Sequence, residues 1–189
     1  LILTIIFFIG LILGVMFVNN MSQQEKKNAS EYIKSFNNKI NSEEYEVSNL
    51  SILKASIKSN FLSFTFLWLL GCMIIGTPII YGFIGYRGFA LGYTVSAVVG
   101  SLGFWNGLLF VLGVLFLQNL IYIPSYFAEA LSGIKLHKKI MQERKKEDIK
   151  INMIKHTIFS LLILIFIFIG TIIESYVSGG IMQQLLKKL

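Results

Sequence analysis

The chain has 189 residues, of which 54% are hydrophobic and 14% charged, whereas a soluble domain carries about a quarter charged residues. These proportions exclude an ordinary soluble globule and point to an integral membrane protein. The net charge of +7 does not indicate nucleic acid, because eight of the 17 basic side chains crowd into residues 135–156, where they read as a topology signal.

Residues 1–18 are apolar throughout and read as a first transmembrane helix. The start has no Met and no basic stretch, as expected of a fragment, and Val18-Asn19-Asn20 offers no small-residue cleavage site for a signal peptide. Gly10 and Gly14 are spaced for close helix contact. Residues 19–60 form the one sizeable polar segment on that side of the membrane. Ser22 and Glu25 have capping-box spacing, after which Ala29, Tyr32, Ile33, Phe36 and Ile40 share a helical face. An acidic turn with Glu43, Glu44 and Glu46 precedes a second stripe at Leu50, Leu53, Ile57 and Phe61. The pattern predicts two short amphipathic helices on the membrane surface. They form either a connector hairpin or a collar that offers the Tyr32, Ile33 and Phe36 face, or the acidic turn, to a partner.

Residues 61–80 are the second predicted span. They contain the single cysteine, Cys72, which excludes an intrachain disulfide and a thiolate metal cluster. A tight turn is expected at residues 81–87, leading to a third span at 84–102. There Gly88, Gly92, Ser96 and Gly100 recur every four residues and leave one face almost without side chains. Such a face admits a neighbouring backbone, within the protomer or across a homo-oligomer seam. A re-entrant hairpin is the alternative for this short span, but it would turn the basic stretch outward, against the positive-inside rule.

The fourth span, 105–131, holds Gln118, Asn119, Pro124 and Glu129. A helix with two amides, a proline that frees a carbonyl, and a carboxylate packs against protein, not lipid. Residues 135–156 are expected as a cytoplasmic loop, flanked by solvated His137 and His156. The fifth span, 157–178, carries Glu174 near its outer end, and an amphipathic tail follows. The fold expected is all-α: one polytopic domain over 1–189, a five-helix transmembrane bundle with a short extracellular helical segment at 19–60. Its amino end would be cytoplasmic and its carboxyl end extracellular. In this topology Arg87 and Glu129 lie near the cytoplasmic ends of adjacent helices and pair directly or through water; otherwise Arg87 snorkels alone and Glu129 is protonated. Glu174 is expected to accept bonds from Asn19, Asn20 or the start of the Ser22 helix, holding the collar in place.

Four stretches resemble the stage II sporulation protein M family: Leu67-Trp68-Leu69-Leu70-Gly71, Arg87-Gly88-Phe89-Ala90-Leu91-Gly92, Gln118-Asn119-Leu120-Ile121-Tyr122-Ile123-Pro124 and Ile173-Glu174-Ser175-Tyr176. Ser178-Gly179-Gly180 departs from the proline-containing end expected there. The resemblance implies a mother-cell membrane protein of engulfment that anchors stage II sporulation proteins D and P, which cleave septal peptidoglycan. It would localise those hydrolases without hydrolysis of its own and without a cofactor. The family also occurs in non-sporulating microbes. The competing class is a small transporter, channel or intramembrane enzyme built on Arg87, Gln118, Asn119, Glu129 and Glu174, since ionisable groups within spans mark functional sites. Against it, the sequence shows no nucleophile motif, no metal-ligand spacing and no inverted repeat of broken helices.

Overall fold

The computed structural model describes residues 1–28, 31, 49–73, 75–142, 146–178 and 180–181, which are almost entirely helical and include no strand. Helix α1 is Ile2–Asn19, α2 is Asn49–Cys72 and α3 is Gly76–Leu102. Helix α4, Phe104–Phe110, passes through a π-helical segment, Val111–Phe116, into α5, Leu117–Gln142. Helix α6, Lys146–Ile172, closes on a second π-helical segment, Ile173–Ser178.

Among the described residues, three stretches are long and apolar enough to cross a membrane: Ile2–Asn19, Phe104–Gln142 and Glu147–Ser178. Helices α2 and α3 are long but diluted. Lys54, Lys58 and Asn60 lie in the first half of α2, and α3 carries Arg87 and six glycines. The core joins Leu3 and Phe7 of α1, Phe64, Leu67 and Leu70 of α2, and Ile80 and Ile84 of α3 to Tyr122, Tyr126, Ala130 and Ile134 of α5 and Ile163 and Ile167 of α6. Opposite faces expose large apolar side chains, among them Ile5, Phe8, Ile9 and Ile12 of α1 and Leu161, Leu162, Ile165 and Phe166 of α6. Apolar on both faces is the pattern of a helix set between protein and lipid.

Three boundaries differ from the sequence reading. The break between the second and third helices falls after Cys72 and before Gly76, with the Met73 N–H donating to the Leu70 carbonyl, and not at residues 81–87. Gly82 and Gly85 suggested a turn, but both lie within α3: Gly85 faces Ile6 of α1, and a Cβ on Gly82 would meet open space. Pro78 stands in the first turn of α3, where its missing N–H is not needed. Second, α2 runs unbroken from Asn49, so the Leu50, Leu53, Ile57, Phe61 stripe is no separate surface helix. The buried face of α2 is instead Ser56, Asn60, Phe64, Leu67, Leu70 and Gly71. Third, residues 135–156 are mostly helix, since α5 continues to Gln142 and α6 begins at Lys146 with Glu147 and Asp148 in its first turn. Those acids favour a helix start through the macrodipole. The Lys139 ammonium donates to Asn152 Oδ1 at 2.9 Å across this hairpin.

Helices α1 and α3 run parallel and touch backbone to backbone. A Cβ on Gly10 or Gly14 would strike the carbonyl of Gly85 or Phe89, and one on Gly88 or Gly92 would strike that of Phe7 or Leu11. Phe17 then packs edge-on against Phe89, with ring centroids 5.8 Å apart. The contact ends there: Ser96 is half-buried, and a Cβ on Gly100 would meet open space. The turn into α4 needs glycine at 103, whose φ of 80° strains any L side chain.

Candidate functional site

Two polar clusters cross the helix interior, both anchored on α5. In the first, Asn60 of α2 uses both ends of its carboxamide. Its Nδ2 donates to the Tyr122 hydroxyl at 2.9 Å, and its Oδ1 accepts from the Tyr126 hydroxyl at 3.0 Å. The Tyr122 hydroxyl donates in turn to Glu174 Oε2 at 2.6 Å. Tyr122 and Tyr126 are one helical turn apart, which places both hydroxyls on the face that meets α2. Every donor points toward Glu174, so successive bonds polarise one another. At the far end the Arg87 guanidinium sits 4.2 Å from the centre of the Tyr126 ring and 5.4 Å from that of Phe83. The chain thus links the π-helical end of α6 to α5, α2 and α3. Gly170 makes room for it, because a Cβ there would press on the Tyr122 ring.

The second cluster lies about two turns further along α5. Glu129 is wholly buried, and its Oε1 accepts from the Ser160 hydroxyl at 2.7 Å. His156 Nε2 stands 3.7 Å from the same oxygen, too far for a hydrogen bond, while its Nδ1 is 2.7 Å from Ser132 Oγ. Ser160 also bonds the His156 carbonyl at 2.8 Å. Here α2 and α5 cross on two glycines: a Cβ on Gly71 would lie 2.9 Å from the Gly133 Cα and 2.7 Å from His156 Nε2. Serine, imidazole and carboxylate are the membership of an acid–base relay. In this arrangement the carboxylate's nearer partner is a second serine, and the group ties α5 to α6.

The expected site residues divide between these clusters and a cavity. Arg87 and Glu129 do not form the expected pair: the carboxylate belongs to Ser160 and His156, and the guanidinium to Tyr126 and Phe83. The reason is the shifted turn, which moves Arg87 from a helix end to the middle of α3. His156, expected in solvent, is 4% exposed because α6 begins ten residues before it. Glu174 bonds Tyr122 and not the amides of Asn19 or Asn20, whose side chains are exposed, while the Asn19 carbonyl is taken by the Lys26 ammonium at 2.7 Å. Gln118 and Asn119 line a cavity of about 170 Å³ together with Arg87, Thr94, Tyr122 and Tyr126. Asn119 Nδ2 donates at 2.8 Å to the carbonyl of Leu115, inside the π-helical segment that precedes α5. Pro124 is exposed on the outer side of α5. The Ser22–Glu25 box is formed: Ser22 N–H and hydroxyl both donate to Glu25 Oε2 at 2.8 Å, which holds that carboxyl below the usual carboxylate range. Tyr32, Ile33, Phe36, Glu43, Glu44 and Glu46 lie outside the described residues.

Sequence reasoning passed over Asn60, Tyr122, Tyr126, Ser132, His156 and Ser160. The available signal was periodicity. Tyr122, Tyr126 and Glu129 recur on one face of α5, and Ser160 is a lone hydroxyl in an apolar run. Among the described residues no group of three or more His, Cys, Asp and Glu could hold a metal ion.

An all-helical chain with lipid-compatible outer faces and ionisable groups bonded in its interior is a multi-pass membrane protein. Over residues 3–179 it matches the family described as stage II sporulation protein M, and it belongs to that family. It is 28% identical to an uncharacterized protein of Methanocaldococcus jannaschii over 191 residues, covering 98% of this chain and 97% of that one. No solved structure matches significantly.

Proposed function

We propose that this protein is a non-enzymatic scaffold of the cell membrane that holds the peptidoglycan-cleaving complex of stage II sporulation proteins D and P during engulfment. Membership of the family supports a sporulation-related membrane protein. The observation that carries the scaffold reading is the use made of the buried polar groups. Glu129, Asn60, Tyr122, Tyr126, Ser160 and Glu174 are bonded to one another across helices, which stiffens a framework. A nucleophile or transported ion needs such groups free, and in these two clusters, Arg87 aside, only Glu129 Oε2 and His156 Nε2 are buried without a hydrogen bond among the described residues.

The reading includes five membrane spans. Helix α3 runs along α1 on a shared glycine seam, and α2 follows α5 from Asn60–Tyr122 to Gly71–Gly133. Helices so closely paired with spans share their depth. The basic 135–156 hairpin then faces the cytoplasm, the amino end is inside, and residues 19–48 face outward with the Tyr32, Ile33, Phe36 face or the Glu43, Glu44, Glu46 turn available to the hydrolases.

Affinity capture from engulfing cells tests this. Both hydrolases should co-purify with the protein, and Tyr32→Ala with Phe36→Ala should reduce their recovery without lowering membrane levels. Normal accumulation with no hydrolase in the eluate would refute the scaffold reading. The second reading, a small transporter, is favoured by one feature only, the cavity beside Arg87.

A further inference from the structure

Most polar groups inside the helices are bonded to each other, but Arg87 is an exception. Its Nη2 is buried and makes no hydrogen bond among the described residues. The carboxylates of the interior are engaged elsewhere, Glu129 with Ser160 and Glu174 with Tyr122. A guanidinium has five donors and no acceptor, and stacking on the Tyr126 ring gives Nη2 no oxygen to bond. A cation at this depth costs several kcal/mol unless an anion or water meets it.

The cavity that Arg87 lines holds further free donor hydrogens, above all those of Gln118. Thr94 gives its hydroxyl hydrogen to the Ala90 carbonyl, Asn119 gives an amide hydrogen to Leu115, and Tyr122 gives its hydrogen to Glu174. The Gln118 carboxamide has no bond among the described residues. Donors from Arg87 and Gln118 in one cavity lining, one of them charged, fit an anionic oxygen group. The cavity does not end there. It shares Leu91, Leu115, Asn119 and Ile123 with an adjoining groove of about 350 Å³, otherwise walled by apolar side chains including Val95, Phe116 and Leu120. Phe116 and Leu120 are 55% and 62% exposed, so the groove opens on the lipid-facing side of the helices.

We propose that this composite site binds one anionic single-chain amphiphile, its carboxylate on Arg87 and Gln118 and its acyl chain in the groove over Val95 and Leu120. Continuity of a charged end with an apolar channel selects an amphiphile over a free anion, which would leave the groove unused. The site goes beyond the scaffold reading and does not depend on it.

The test uses the full chain, purified in a non-ionic detergent and cleared of co-purifying lipid, with oleate, oleyl alcohol and acetate as probes. Native mass spectrometry should show one oleate per chain, with oleyl alcohol and acetate each bound at least about tenfold more weakly. Arg87→Gln should weaken oleate binding by a similar factor, and Arg87→Lys by less. Val95→Phe, which fills the groove and leaves the charged cavity untouched, should also weaken it. Oleate binding that ignores both Arg87→Gln and Val95→Phe overturns the proposal. So does acetate binding equal to that of oleate, which would mark a pocket for free anions only. If Arg87→Gln fails to accumulate, the oleyl alcohol comparison and Val95→Phe decide, and no change in both refutes the site.

Discussion

Replacing Tyr122 by phenylalanine removes one oxygen and breaks two interhelical bonds, to Asn60 on α2 and to Glu174 at the end of α6. The ring stays, so packing against Gly170 is preserved. Interhelical hydrogen bonds in membranes contribute about 0.6 kcal/mol on average and up to about 1.7, because the unfolded chain also finds partners. The short bond to a carboxylate belongs near the upper figure and the Asn60 bond near the mean, so the loss should be about 2 kcal/mol. That is roughly a thirtyfold shift in the ratio of folded to unfolded protein. Tyr126→Phe is the internal control. It loses the bond to Asn60 Oδ1 and the hydroxyl's contacts with Ser63 and Arg87, but none to a carboxylate acceptor, and keeps the ring beneath Arg87, so it should cost about 0.6 to 1 kcal/mol. Steric-trapping unfolding in bilayer discs reads both values. A double-mutant cycle of Tyr122→Phe with Glu174→Gln should show coupling of about 1 kcal/mol. Equal costs for the two tyrosines, or no coupling to Glu174, would refute the assigned direction of the hydrogen-bonded chain.

The glycine seam predicts a contrast along α3. Gly88→Leu must push α1 away from the Phe7 carbonyl and should cost about 1–3 kcal/mol, whereas Gly100→Leu enters open space and should stay within about 0.5. A change in cross-linked dimer yield on Gly100→Leu alone would show that this half of the glycine face meets a second copy. In the Glu129 cluster, Glu129→Gln keeps an acceptor for Ser160 and should be milder in thermal unfolding than Glu129→Leu, which strands that hydroxyl; the reverse order would contradict the cluster. Because the capped Glu25 carboxyl is held below its unfolded value, the cap is fully formed above the usual carboxylate range and is lost as pH falls through the lowered folded value. The Ser22 amide shift should titrate at that lowered value and become flat in Glu25→Gln; a midpoint at or above pH of about 4.3 would contradict the cap.

The class of fold was legible because apolar content and helix length are summed quantities. The two sites of helix contact at Gly10/Gly14 and Gly88/Gly92 were legible as spacing. The turn before α3 was not, since a glycine such as Gly85 signals a bend and a close helix approach equally well in sequence, and only the position of α1 decides between them. That one displacement moved Arg87 inward and dissolved its pairing with Glu129. Asn60 escaped notice for a related reason. It sits in a stretch with two lysines that reads as surface, and its role exists only because Tyr122 and Tyr126 approach from a helix some sixty residues away. Glu129 and Glu174 were legible as carboxylates within predicted spans, but their partners are tertiary facts, and only Glu129 is fully buried.

The account turns on whether α2 and α3 cross the membrane with their neighbours, since this fixes what faces the hydrolases. Single cysteines at Gln24, Ile75 and Gln142, each in a Cys72→Ala background, distinguish the cases when intact cells meet an impermeant thiol reagent. Ile75 is 72% exposed in the turn between the two helices and is therefore reachable from whichever side it occupies. With five spans only Gln24→Cys should react on intact cells, and Ile75→Cys and Gln142→Cys should react once the cells are permeabilised. Labelling of Ile75→Cys together with Gln24→Cys on intact cells would mean that only three helices cross, and would contradict the account.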